Sequence, residues 1–171
     1  HTPEMFYAVD SAQSWRAEPN RRNVIHPAAA YGIVPDAARR GGMTVIRDRL
    51  RWTDCERKRG EFSWGRYMQN AELLSARGIG ISGMFHDTPV WNRGGNEKLP
   101  ADLGAVYEFC KTLAVAFKGK MTDWEFWNEQ DIGFAPEGAW DYAAAMKAAY
   151  LGFKAGDPSL PVAFGGLART V

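Results

Sequence analysis

Gly78-Ile79-Gly80-Ile81-Ser82-Gly83-Met84-Phe85 follows directly on the stretch Trp64 to Ala76, in which Tyr67, Ala71 and Leu74 recur at i, i+4 and i+7. That spacing predicts one apolar helix face. Gly78 stops the helix, and the run after it reads as a strand. Its glycines point to a crowded interior that backbone must approach closely. Helix, stop and strand thus sit in one short unit, and the unit repeats in both directions.

Upstream, Phe6 to Val9 reads as a first strand and Ser11 to Asn23 as a long polar loop. Pro27 to Arg40 reads as a helix closed by Gly41-Gly42, and Met43 to Arg47 as a second strand. Trp52 to Phe62 is a charged loop. Downstream, a helix opens at Pro100 and Asp102 and runs through Phe117, with Leu103, Val106, Phe109, Leu113 and Phe117 in helical period. Gly119 ends it, and Thr122 to Trp127 is the fourth strand. Ala139 to Ala155 is a helix stopped by Gly156-Asp157-Pro158, and Pro161 to Gly166 is the fifth strand.

Strands alternating with helices predict βαβ units and a parallel sheet. A doubly wound nucleotide-binding sheet would want a glycine-rich turn after its first strand, and Val9-Asp10-Ser11-Ala12 offers none. The α/β reading is therefore a (β/α)8 TIM barrel. Such a barrel needs about 250 residues. The chain has 171, so it is expected to supply about strands 1–5, with residues 1–171 the N-terminal portion of one incomplete catalytic domain. Barrel chemistry gathers at the C-terminal ends of strands. Here those are Arg47 to Trp52, Phe85 to Trp91 and Trp127 to Asp131.

Composition narrows the partner. Twenty-one Lys and Arg against 20 Asp and Glu leave a net charge of +1, which argues against nucleic acid. No apolar run is long enough to span a membrane. The chain opens His1-Thr2-Pro3, so a signal peptide would already be absent; the compartment stays open, with a secreted or periplasmic setting favoured. Cys55 and Cys110 lack any CxxC or nearby His, and sequence alone does not decide whether they are bonded. The three His, at 1, 26 and 86, are scattered, so no metal is expected, and no cofactor.

Trp127-Asn128-Glu129-Gln130-Asp131 is the sharpest chemical signal. A carboxylate at a strand mouth among indoles is desolvated, which favours its protonated form and suits it to protonate a leaving-group oxygen. Asn128 beside it could bond a sugar hydroxyl. Taken on the residues alone, Glu129 could equally cap a helix or pair with an Arg.

Trp124-Glu125-Phe126-Trp127-Asn128-Glu129 resembles the fourth-strand signature W-E-x-W-N-E of clan A glycoside hydrolases. Three further segments agree in order. Arg47, Trp52, Glu56, Gly60 and Phe62 resemble the clan's R-x4-W-x3-E-x3-G-x-F after strand two. Gly78-Ile79 and Thr88-Pro89-Val90-Trp91 resemble its third strand and T-P-x-W loop. Lys154-Ala155-Gly156-Asp157-Pro158 and Phe164-Gly165-Gly166 resemble the entry to its fifth strand. The chain is most similar to glycoside hydrolase family 39, with its β-xylosidase-like and α-L-iduronidase-like members, over about residues 41 to 168.

The resemblance implies a retaining O-glycoside hydrolase acting on a poly- or oligosaccharide. Glu129 would be the acid/base, and a nucleophilic Glu near strand seven would lie outside this chain, since Glu97, Glu108 and Glu137 match no nucleophile motif. The remaining strands would come from the rest of the chain or from another chain. Arg47 could fix the nucleophile or bind a hydroxyl, while also forming an interior ion pair with Glu125. His86 could bond a hydroxyl or be structural, and Asp87 could cap the next turn. Trp91 and Trp127 could stack on a sugar or fill core. The basic run Arg57-Lys58-Arg59 reads as a solvated face. An inactive or carbohydrate-binding barrel remnant is the alternative. A non-glycosidase barrel such as an aldolase would want a strand-end Lys, and none ends a strand.

Overall fold

The computed structural model describes residues 8–11, 14, 29–93 and 98–169. The expected strand start at Phe6, the helix start at Pro27, most of the loop from Ser11 to Asn23, His1, His26 and Glu97 lie outside the described residues. The elements run β1 (Ala8–Asp10), α1 (Val34–Arg40) after a wide turn at Ala29–Ile33, β2 (Val45–Arg51), α2 (Gly65–Ser75) and β3 (Gly80–His86). Then come α3 (Leu103–Ala116), β4 (Asp123–Asn128), α4 (Ala139–Gly156) and β5 (Val162–Gly166).

All five strands are parallel and pair in chain order, β1-β2-β3-β4-β5. A doubly wound sheet reverses direction at a switch point, and this sheet has none. It is also strongly curled: Arg47 on β2 reaches across β3 to bond Glu125 on β4. This is the first five strands of a (β/α)8 barrel. No helix among the described residues is long and apolar enough to cross a membrane.

Strand two corrects the sequence reading. It was expected to end at Arg47 and runs to Arg51 instead. Asp48, Arg49 and Arg51 look like loop residues, yet they continue the period of two. Arg47, Arg49 and Arg51 face the barrel interior, where charge near the mouth finds partners. Ile46, Asp48 and Leu50 are buried towards the helices.

The helix-facing side of the sheet is buried and aromatic. Trp52 stacks on Phe109 with centroids 4.6 Å apart, and Phe85 meets Phe109 and Phe126 edge-on at 5.2 and 5.4 Å. Trp124 lies flat on Phe153 at 5.8 Å. It also covers Gly83, where a Cβ would come within 2.6 Å of the indole, so this strand glycine is a packing requirement. Helices α3 and α4 approach closely for the same reason: a Cβ on Gly152 would sit 2.3 Å from the Tyr107 carbonyl oxygen. Asp102 caps α3, accepting from the Ala105 amide at 3.0 Å. Cys55 and Cys110 are free, buried thiols, both pushed up in pKa by burial.

Candidate active site

Arg47 organises the interior face. Its Nε and Nη2 donate to the two oxygens of Glu125 at 2.8 and 2.7 Å, a bidentate pair. Nη2 also donates to Asn128 Oδ1 at 2.9 Å, and Nη1 to Asp10 Oδ2 at 2.7 Å. Every nitrogen of the guanidinium is engaged. Burial works against its charge, but the bonds to Glu125 and the fields of Glu125 and Asp10 outweigh it, and the Arg47 pKa rises above the ordinary arginine value. The expected ion pair with Glu125 is thus present. Because β2 continues, Arg47 is mid-strand rather than at the strand end. Arg49 reaches the same Asp10 oxygen at 3.3 Å.

Asn128 reaches Arg47 through an irregular backbone. Strict alternation would turn Asn128 to the helix side with Trp124 and Phe126. Trp127 instead adopts a left-handed φ of 74°, which reverses the pattern and brings Asn128 inward. Glu129 follows with φ of 51°, and Asp87, just past the end of β3, has φ of 79°. Left-handed backbone is uncommon for residues other than Gly, and each such position stores about 1–3 kcal/mol. Three of the four such residues described here stand at the C-terminal ends of β3 and β4.

The exit of β5 holds the Glu129 turn. The Glu129 amide donates to the Gly166 carbonyl at 2.7 Å, and Gln130 Nε2 donates to the Gly165 carbonyl at 2.9 Å. The Gly166 amide donates to Glu125 Oε1 at 2.7 Å, on the carboxylate that already holds Arg47. Tyr142 bridges the two strands, its hydroxyl donating to the Phe126 carbonyl and accepting from the Gly165 amide, both at 3.0 Å. Asp131 accepts from the Ala168 and Arg169 amides at 3.0 and 2.8 Å, and these donors hold its carboxyl below the usual carboxylate range.

His86 ends β3 on the interior face, opposite Arg51 in register and edge-on to Trp127 at 6.5 Å. Asp87 does more than cap a turn. It is buried and accepts from Arg51 Nε and Thr53 Oγ1, each at 2.8 Å; burial raises its pKa, with the bonds from Thr53 and Arg51 opposing.

The two readings open for the indoles, sugar platform or core filling, turn on burial. Trp127 is fully buried and donates from Nε1 to the Phe134 carbonyl at 2.6 Å, so it has no face open to a sugar. Trp91 belongs to a knot built by the strand-two motif. Trp52 Nε1 and the Gly60 amide donate to the buried Glu56 carboxylate at 2.6 and 2.7 Å, and Trp91 Nε1 donates to the Glu56 carbonyl at 2.9 Å. Trp91 meets Trp52 edge-on and carries the Arg59 guanidinium over its ring at 5.6 Å, so on that ring face a sugar could stack only if Arg59 moved aside.

Sequence reasoning did not single out Asp10 and gave no role to Arg49, Gln130 or Asp131, although it placed these three at strand ends. The i, i+2, i+4 spacing of Arg47, Arg49 and Arg51 was a legible signal for a half-buried strand. The clasp between the Glu129 turn and residues 165–169 joins segments far apart in the chain and leaves no local pattern.

No family model matches the sequence, and no curated protein matches it. Solved structures do. A family 39 glycoside hydrolase from the gut symbiont Bacteroides cellulosilyticus WH2 superposes with a TM-score of 0.67 at 19% identity, over 92% of this chain and 31% of that one. An exo-β-1,4-mannosidase from Opitutaceae bacterium strain TAV5 gives 0.68 at 15% identity, over 92% and 31%. A xylanase from Paenibacillus barcinonensis gives 0.59 at 14% identity, over 94% and 49%. The chain spans about a third of the first two and about half of the third. It is thus similar in fold to part of each of these glycoside hydrolases, and the likeness shows that fold.

Proposed function

We propose that the chain is the N-terminal part of the barrel of a retaining O-glycoside hydrolase, with Glu129 its acid/base and carbohydrate its substrate. The observation that carries this reading is the fixed network Arg47–Glu125–Asn128, which holds Asn128 between the left-handed residues Trp127 and Glu129 at the C-terminal end of β4. Glycosidase barrels being its structural neighbours adds to it.

In this reading Glu129 protonates the glycosidic oxygen as the bond to the anomeric carbon breaks. A carboxylate from a later strand attacks that carbon, about 5–5.5 Å from Glu129, to form the glycosyl-enzyme. Glu129 then takes a proton from water, which attacks the same carbon and releases the sugar. Asn128, held by Arg47, bonds a sugar hydroxyl, and His86 offers a second polar contact at the end of β3. Arg47 orients Asn128 and carries positive charge towards the place of the incoming carboxylate.

The test uses the full-length protein and a panel of 2,4-dinitrophenyl glycosides. Glu129→Ala should still release the first equivalent of dinitrophenolate, because that leaving group needs no proton, and should then stall. Azide should restart it, its nitrogen displacing the enzyme carboxylate to give a glycosyl azide. General acid–base groups contribute about 10²–10⁴-fold. Steady-state turnover by Glu129→Ala equal to that of the unaltered protein would remove Glu129 from the mechanism.

A further inference from the structure

The backbone at the end of β4 poses a physical question. Trp127 and Glu129 both sit in left-handed conformations that an unconstrained chain would abandon. Such conformations persist where the surroundings over-determine them. What surrounds them is β5 and its exit. Tyr142 ties Phe126 to Gly165, Glu125 ties to the Gly166 amide, the Glu129 amide bonds Gly166, Gln130 bonds Gly165, and Asp131 clasps the amides of Ala168 and Arg169. Together these bonds engage Gly165, Gly166, Ala168 and Arg169 from both sides of the Trp127 turn. A methyl group at Gly165 would lie 2.6 Å from Gln130 Oε1 and 2.7 Å from the Phe126 carbonyl oxygen, so the two segments touch without slack.

We infer that residues 165–169 form a strap that sets the position of the Glu129 carboxyl, and that Gln130 and Asp131 are positioning residues acting through it. The inference rests on Glu129 being the acid/base. Asp131 makes the outermost of these contacts. Its ionised carboxylate offers one oxygen to each amide, an arrangement a neutral amide side chain cannot copy, because its NH2 would face an N–H. Gln130 makes the inner contact, and a carboxylate there would meet the Gly165 carbonyl with no proton to donate. Loss of either contact lets the Glu129 turn relax towards ordinary backbone and moves the proton donor from the glycosidic oxygen. Displacements of about 1 Å from productive geometry cost up to about 10²-fold in rate.

The experiment is a leaving-group comparison in the full-length protein. For the fastest-cleaved sugar among β-D-glucosides, xylosides, mannosides and galactosides, kcat/KM is measured with 2,4-dinitrophenol and with phenol as leaving group. Phenol needs the proton and dinitrophenol does not, so the ratio of the two reads the acid alone. It is also independent of how much of a variant is folded. Asp131→Ala and Gln130→Glu should each lower kcat/KM on the phenyl glycoside about tenfold while changing the dinitrophenyl value less than about threefold. Glu129→Gln should show the same selectivity more strongly. If Glu129→Gln shows it and both strap variants leave the ratio unaltered, the strap is overturned and the acid assignment stands. If Glu129→Gln also leaves the ratio unaltered, or the unaltered protein cleaves none of these glycosides, both fall together.

Discussion

The two faces of the sheet are written by alternate residues of the same strands, yet they obey different chemistry. Towards the helices, Ile81, Gly83 and Phe85 of β3 and Trp124 and Phe126 of β4 pack, buried, among Trp52, Phe109 and Phe153. Towards the barrel interior, Arg47 of β2 and Glu125 of β4 are held by ion pairs, and Ser82 of β3 donates to Asp123 at 2.6 Å. The aromatic surplus of the sequence therefore serves mainly the outer layer, and the candidate chemistry rests on charge. Position is what separates a tryptophan that holds the fold from one that could meet a sugar.

The sharpest contrast between the faces should come from truncating one residue on each. Trp124→Ala removes a fully buried indole from between Phe117 and Phe153, and should cost about 3–5 kcal/mol in a urea titration, with activity lost only as the protein unfolds. Arg47→Met leaves the Glu125 carboxylate, 10% exposed, without its cation, and should cost about 3 kcal/mol. Adding Glu125→Met should return most of that stability and none of the activity. Recovery of turnover in the double variant would make the ion pair a scaffold and nothing more. Arg47→Lys should also fail to restore rate, since an ammonium cannot fork to two carboxylate oxygens.

Asp48 tests the rule by breaking it, being a carboxylate on the apolar, helix-facing side. It is buried and accepts from the Ser14 amide at 3.0 Å, from the Ser14 hydroxyl, and from Asn70 Nδ2 at 2.7 Å. Asp48→Ala should cost about 2 kcal/mol by stranding these donors. Burial raises the Asp48 pKa against the pull of those bonds. A folded value above the unfolded one gives stability that is full below the ordinary carboxylate value of about 4 and is lost as pH rises through the folded value. Urea midpoints for Asp48→Asn should therefore fall less over that interval than those of the unaltered protein. The smallest effect belongs to the solvated basic run. Arg57→Ala should move stability by less than about 0.5 kcal/mol, and a larger change would mean that this exposed residue is engaged after all.

The helices and β3 were legible because period and punctuation agree. Trp64 to Ala76 has its apolar face and its Gly78 stop, and α2 ends at Ser75, one residue from the expected end. The second half of β2 was passed over despite its period of two, because charged Asp48, Arg49 and Arg51 look like a loop until a curved interior supplies their partners. Glu125 was legible as a partner of Arg47. The left-handed turn at Trp127 was hidden, since alternation assigns Asn128 to the wrong face and no residue type marks the reversal. Trp91 and Trp127 were read from their place at strand ends, but a loop folding back over each ring decides its exposure. The clasp of Asp131 on residues 168 and 169 depends on pairing between distant segments, which composition does not record.

The left-handed backbone at Trp127 and Glu129 also bears on selection in the laboratory. Glycine or asparagine at Glu129 would relieve the steric cost, a gain on the order of 1 kcal/mol, whereas at Trp127 the loss of a fully buried indole would outweigh it. A library sorted for heat resistance alone would thus enrich Glu129→Gly, and on the acid/base role proposed for Glu129 its hardiest survivors would be its least active members. Sorting for turnover first, and for robustness only among the survivors, keeps the strained pair in place.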